Sequence, residues 1–235
     1  MKNSLCLIVV SLFLATSYSF SQDFLEVKYS VNDIKKQREN FVKEKIKSVT
    51  VNNTSKYEID KEGKIVKMIS EEFGHFEKIY NYSNNNLISI SAPADMDIEF
   101  KYDINGNIIE ASDMAATGTY YYDINNRLIK TQIFMEGEEG EGNCGPERIS
   151  YKDNLVTEEL YPCCMGFLDR IVYEYFESSK IAKVTKYTKN CSSNMETVLG
   201  VEIYHYENDS MFPYKISSMF NNQSSERLIK YEYYD

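Results

Sequence analysis

The pattern of apolar and polar positions changes character twice along the chain. From Asn32 to about Lys47, Ile34, Phe41, Val42 and Ile46 recur at helical spacing with charges between them. That predicts one short amphipathic helix, with Asn32 as its N-cap. In KIKSVTVN, from Lys45, the pattern turns toward alternation and β-branched residues, so a strand competes with the end of the helix. Beyond Asn53 the chain repeats itself. An aromatic or Ile residue precedes a polar stretch and an aliphatic residue follows it: Ile59 and Ile65 in IDKEGKIVKM, Tyr102 and Ile108 in YDINGNIIEA, Tyr122 and Leu128 in YDINNRLIKT. Looser copies begin at Tyr82, Tyr151, Tyr175 and Tyr206, and the chain ends in YEYYD, the start of a unit with no second half. The spacing, about twenty to thirty residues, is that of two short strands with their connections.

The polar stretch admits two readings. Asp103, Asn105 and Asn107 alternate as calcium ligands do, yet an EF-hand-type loop needs Gly at its sixth position and Glu at its twelfth, and those are Ile108 and Met114. The next copy puts Arg127 where Asn107 stood, and a cation there repels calcium. All three good copies do share an Asp and, three residues on, Gly or Asn: Asp60 and Gly63, Asp103 and Gly106, Asp123 and Asn126. This is a type I turn followed by a left-handed residue that makes a bulge. It sets Ile59 opposite Ile65, Tyr102 opposite Ile108 and Tyr122 opposite Leu128, as apolar cross-strand pairs.

The motif Y-D-x-x-G-x-L/I, in residues 102–108 and 122–128 and with Ile leading in 59–65, resembles the YD repeat, or RHS repeat, of secreted bacterial proteins. The chain looks most like the small exported members of that class in Gram-negative bacteria. The resemblance implies a sheet of successive hairpins, carries no catalytic residues over, and offers a class-level link to carbohydrate or cell-surface binding.

Composition adds location. Lys2, the apolar run Leu5 to Leu14 and the small residues Ser19 and Ser21 read as a signal peptide over 1–21, leaving a single β domain over 22–235 with the helix at about 32–47 and hairpin repeats at about 57–235. The expected address is periplasmic, outer-surface or extracellular, without membrane insertion after the leader is removed. The net charge of −10 argues against nucleic acid as a partner. Cys144, Cys163, Cys164 and Cys191 form an even set in an exported chain, which favours two disulfides, Cys144 pairing with one of the two neighbours and Cys191 with the other. Their spacing is poor for zinc.

Candidate chemistry is sparse. His75 and His205 lie in no metal motif, and no nucleophile elbow, P-loop or dinucleotide fingerprint is present. Asp95 with Asp97, and Glu158 with Glu159, are the acid pairs a glycosidase would need, at a frequency chance supplies. Met135 to Glu147 reads as an acidic insertion between hairpins. Tyr120, Tyr121 and Tyr122 are candidates for stacking on a ligand such as a sugar ring. The expectation is therefore a mainly β protein: successive antiparallel hairpins in an elongated or curled sheet, with a closed barrel or sandwich as the rival form. It would be non-catalytic, without metal or cofactor, presenting a binding or scaffolding surface to a glycan or another surface protein. The alternatives are a dedicated carbohydrate-binding module and a hydrolase whose site the sequence hides.

Overall fold

The computed structural model describes residues 29–71, 75–93, 97–114, 116–135, 146–162, 167–190 and 195–235. The segment expected to be a signal peptide, all cysteines and most of the expected acidic insertion lie outside these residues.

The helix, α1, spans Val31–Lys43 and is capped by Ser30, whose hydroxyl accepts the Asp33 N–H at 3.2 Å. It starts one residue before the expected cap and ends four residues before the expected stop. Asn32 does not cap: its side-chain amide donates to the Asn125 carbonyl at 3.0 Å instead. Lys45, at a φ of 55°, turns the chain out of the helix, and the alternation of KIKSVTVN prevails, with Ile46, Val49 and Val51 buried in a strand.

Sixteen strands follow among the described residues: β1 Ile46–Val51, β2 Ser55–Ile59, β3 Ile65–Ser70, β4 Phe76–Ser83, β5 Asn86–Ser91, β6 Ile98–Tyr102, β7 Ile108–Ser112, β8 Ala116–Tyr122, β9 Leu128–Met135, β10 Arg148–Lys152, β11 Leu155–Leu160, β12 Phe167–Tyr175, β13 Ile181–Asn190, β14 Glu196–Tyr206, β15 Pro213–Phe220 and β16 Gln223–Tyr233. All pair antiparallel in one sheet of order β10 to β16, then β1 to β9. The unit begun by YEYYD is completed by the other end of the chain, since β16 pairs with β1. The free edges β9 and β10 also meet. Thr131 N–H donates to the Pro146 carbonyl at 2.8 Å, the Tyr151 hydroxyl to the Leu128 carbonyl at 2.7 Å, and the Arg127 guanidinium lies 4.9 Å from the Tyr151 ring centre. The sheet thus curls until it nearly closes.

The curl has a local cause. The register slips at Ile59, Tyr82, Tyr102, Tyr122, Tyr151, Tyr175 and Tyr206, the seven leading positions of the sequence repeat. Each slip leaves one extra residue on the returning strand, such as Val66, Ile88, Ile109 or Ile129. A bulge bends its strand and increases its twist, and repetition at one level bends the whole wall the same way. Ile59 pairs with Ile65, Tyr102 with Ile108 and Tyr122 with Leu128, as the turn chemistry requires. Gly63, Gly106 and Asn126 have φ of 77°, 89° and 58°. The copy after Tyr175 uses the same loop with Ser179 at φ 63°, whereas those after Tyr82 and Tyr151 use two-residue turns, Asn84–Asn85 and Asp153–Asn154, with both φ positive.

The leading tyrosines also join one hairpin to the next. Tyr82, Tyr102, Tyr122, Tyr151, Tyr175 and Tyr231 donate their hydroxyls to the carbonyls of Ile65, Leu87, Ile108, Leu128, Val156 and Pro213, at 2.6–2.9 Å. Each acceptor pairs with the leading residue of the preceding hairpin. The inner face is apolar around Val49, Val51, Tyr57, Ile59, Ile65, Tyr204, Ile216 and Ile229, with a second cluster of Ile108, Ala111 and Tyr120. The outer face is laced by cross-strand ion pairs, among them Lys67–Glu77, Lys101–Glu110, Lys183–Glu174 and Lys215–Glu226.

Candidate functional site

The repeat turns gather at one end of the curled sheet, and α1 lies across them. Its N-terminus is held by the Val31 N–H, which donates to the Asn107 side-chain oxygen at 2.9 Å, and by the Asn32 bond to the Asn125 carbonyl. Just before it, Tyr29 stacks on Tyr120 with ring centres 4.2 Å apart. Its C-terminal turn is anchored by Phe41, 1% exposed and stacked on Phe212 at 5.2 Å. At mid-helix, Arg38 donates to the Asn85 carbonyl at 2.9 Å, and its own carbonyl lies so close to Gly63 that a Cβ there would strike it.

Between these anchors the helix bridges a hollow. A half-open cavity of about 490 Å³ separates the α1 face carrying Ile34, Arg38 and Val42 from a floor that includes Ile65, Tyr80, Tyr82, Leu87, Tyr102 and Ile108. Two floor tyrosines, Tyr82 and Tyr102, are tied into the hydroxyl ladder. Burial raises the phenols of Tyr80 and Tyr82 well above their ordinary range and pushes Tyr102 up to about 12, so these hydroxyls stay protonated donors at neutral pH. Arg38 and the Lys64 ammonium both lie over the Tyr82 ring, 5.5 and 5.6 Å from its centre.

A second polar feature lies on the inner wall. Glu202, 1% exposed, pairs with Arg227 and accepts the Ser218 hydroxyl at 3.3 Å, while Lys186 reaches Asp169 at 3.1 Å. On the same wall Glu159 accepts the hydroxyls of Tyr161 at 2.9 Å and Tyr173 at 3.1 Å. These are structural pairings that satisfy charge in a closed interior.

The residues singled out in the sequence do not form one site. Tyr120 and Tyr122 point inward, Tyr120 buried and Tyr122 bonded to Ile108, while Tyr121 points outward toward Gln132 and Lys130. Strand alternation separates the three rings, so they make no common platform. Alternation likewise divides the acid pair: Glu158 faces outward between Arg148 and Arg170, and Glu159 inward. Asp97 accepts the Ala92 N–H at 3.0 Å, and Asp95 lies outside the described residues. So do Cys144, Cys163, Cys164 and Cys191 and the insertion over 136–145. His75 is exposed beside Glu71, and His205 bonds Ser217 at 3.0 Å. Among the described residues no group of three or more His, Cys, Asp or Glu is placed to hold a metal. Asp103 turns its oxygens onto its own loop, taking the N–H groups of Asn105 and Asn107 at 2.9 and 2.8 Å and the Asn107 amide at 2.8 Å. The YD turn is therefore a folding device. The hollow under α1 is not announced by any motif. Its one trace in the sequence is that Gln37 and Arg38 interrupt the helical stripe of Val31, Ile34, Phe41 and Val42.

No family model matches the chain, and no curated protein matches its sequence. Among solved structures it is similar to a porin-like protein from Bacteroides uniformis, with a TM-score of 0.54 and 10% identity over 80% of this chain and 98% of that one. It also aligns with TcdB2-TccC3, at a TM-score of 0.32 and 12% identity, and with the Tc holotoxin pore of Photorhabdus luminescens, at 0.30 and 11%, covering 13% of each. The first likeness places the chain in the class of many-stranded, curled antiparallel sheets. It is a likeness of fold alone: this outer wall carries Lys–Glu pairs together with exposed Ile79, Ile88, Ile109, Ile129 and Ile203.

Proposed function

We propose that this chain is a non-catalytic, exported binding protein whose ligand seat is the hollow bridged by α1. The supporting observation is the cavity of about 490 Å³ between the helix and a tyrosine floor fixed by backbone bonds. That volume falls within the range of small-molecule sites, and the mix of apolar walls with few oriented polar groups is the usual make-up of such sites. A pre-ordered floor lowers the entropic penalty of binding. Two of the phenols lining it, Tyr82 and Tyr102, are committed to carbonyls, and burial holds these two and Tyr80 protonated, which suits recognition better than proton transfer. Export is carried by the N-terminal pattern of Lys2 and Leu5 to Leu14.

The test is a small-molecule library scored by thermal shift and native mass spectrometry on the full chain and on Ile34→Trp, which fills the hollow from the helix side. Ligands that raise the melting temperature only in the unaltered chain, and are recovered chemically intact, are the expected result. Hits indifferent to Ile34→Trp would place the seat elsewhere, and a ligand recovered as product would make the protein a catalyst.

A further inference from the structure

The hollow has a charge of its own. Lys35, Arg38, Lys43 and Lys64 border it, against two carboxylates, Glu39 and Glu62. This cationic excess occurs in a chain whose net charge is −10. Lys35 pairs with Glu39 on the exposed side of the helix, and Lys64 with Glu62 at the turn, whereas Arg38 and Lys43 form no ion pair among the described residues; of these two, Arg38 lies over a floor ring, Tyr82. Arg38 spends one terminal nitrogen on the Asn85 carbonyl and rests on Tyr82. The ring and the carbonyl orient the guanidinium, and among the described residues its other N–H groups make no hydrogen bond. Ile65, Leu87 and Ile108 line the same hollow.

The geometry points to a specific ligand class: a small amphiphilic carboxylate, its head at Arg38, with the Glu62-paired Lys64 adding positive charge beside the same ring, and its apolar body over Ile65, Leu87 and Ile108. This rests on the hollow being the ligand seat. A guanidinium fork matches a carboxylate in shape and charge, and a lining with a cationic excess favours an anion over a cation. The apolar floor gains only if the rest of the ligand is hydrocarbon or an aromatic ring.

The experiment compares three probes of equal chain length, dodecanoate, 1-dodecanol and dodecyltrimethylammonium, each below its micelle concentration, by isothermal titration calorimetry on the full chain. Dodecanoate is expected to bind at one site, more than tenfold tighter than dodecanol, because its head makes charge-assisted bonds the alcohol lacks. The trimethylammonium probe is expected to bind weakest. Arg38→Met, which keeps an apolar stem, should weaken dodecanoate at least tenfold and leave dodecanol unchanged, and Arg38→Lys should restore part of the loss. Lys64→Met gives a second reading, with a smaller loss, should Arg38→Met fail to fold. Equal affinity for the three heads, or dodecanoate binding unmoved by both substitutions, overturns the inference while leaving the hollow as a seat for neutral ligands. No binding by any of the three also overturns it. The wider reading falls only if the library finds no ligand sensitive to Ile34→Trp.

Discussion

The Tyr122 hydroxyl donates to the Ile108 carbonyl at 2.6 Å, binding one hairpin to the residue that opens the return strand of the hairpin before it. The same link recurs from Tyr82 to Tyr175 and again at Tyr231, so the repeat tyrosine acts as a clasp between units as well as an inward apolar ring. Tyr122→Phe keeps the ring and removes the clasp. The expected loss is about 1 kcal/mol in urea denaturation, the net worth of one neutral hydrogen bond. Tyr102→Phe and Tyr175→Phe should give similar losses that add in the double variant, because their acceptors, Leu87 and Val156, belong to separate hairpins. Losses near zero at all three sites would show that the tyrosines matter only as apolar surface.

Two glycines with the same turn role should respond differently to alanine. Gly63 and Gly106 both hold positive φ, at 77° and 89°. A methyl group at 106 meets Val31 Cγ2 at 3.4 Å, an ordinary contact, so Gly106→Ala carries only the left-handed penalty of about 1–2 kcal/mol. A methyl group at 63 strikes the Arg38 carbonyl, part of the helix backbone, which cannot rotate away as a side chain can. Gly63→Ala should therefore be the more destabilising of the two, and it should also lift the middle of α1 and weaken ligand binding in the hollow. Equal melting temperatures for the two variants would contradict this account of how the helix is seated.

Much of the architecture was legible because turn chemistry is local. The Asp and the left-handed residue of each good copy set the loop, and the loop sets which residues face each other, so Tyr102–Ile108 and Tyr122–Leu128 follow from seven residues of sequence. Curling and closure depend on relations between distant units. That β1 completes the last unit is encoded in Val49 opposite Tyr231 and Val51 opposite Ile229, pairs no local pattern connects. The helix ended early because Ile46, which fits a helical stripe, fits the strand β1 better once β16 and β2 flank it. The three adjacent tyrosines misled as a platform because composition ignores alternation: consecutive strand residues face opposite ways. The hollow was hidden for a related reason. Arg38 and Tyr82 lie far apart in sequence and meet only because α1 crosses the turns.

Acid should act on the YD turns. Burial raises the Asp103 carboxyl, but bonds from the Asn107 side chain and from the N–H groups of Asn107, Asn105 and Gly106 outweigh it and hold the group below its ordinary value; Asp123 is lowered in the same way by Arg127 and Asn125. A carboxylate depressed in the folded state stabilises the fold fully above its unfolded pKa, and that stability is lost as pH falls through the folded value. Melting temperature should thus hold steady above about pH 5 and decline below about pH 4. Asp103→Asn, which keeps an acceptor for the turn N–H groups, should flatten part of that decline. Because the Asp103 oxygens already serve their own loop, calcium should leave melting unchanged. A calcium-dependent shift abolished by Asp103→Ala would reinstate a metal site at YDINGN.

The inner wall offers a separate test of how the nearly closed sheet tolerates charge. Glu202 is 1% exposed and bound to Arg227, and Arg227 Nε is itself buried without a hydrogen-bond partner. Removing the carboxylate leaves a largely buried guanidinium with the Ser218 hydroxyl beside it and no counter-charge from Glu202. Glu202→Ala should therefore cost about 3–5 kcal/mol, the range for breaking a buried pair from one side. Replacing both partners with apolar residues of similar volume, Glu202→Leu with Arg227→Met, removes the charge along with its solvation debt. The double variant should recover most of the loss, measured by denaturant midpoint at constant slope. If the double variant is as unstable as Glu202→Ala, the pair is holding the register of β14, β15 and β16 as well as balancing charge. Hydrogen exchange at Ser218 and Ile216, which pair directly with Glu202 and Tyr204, would then show local opening of the sheet.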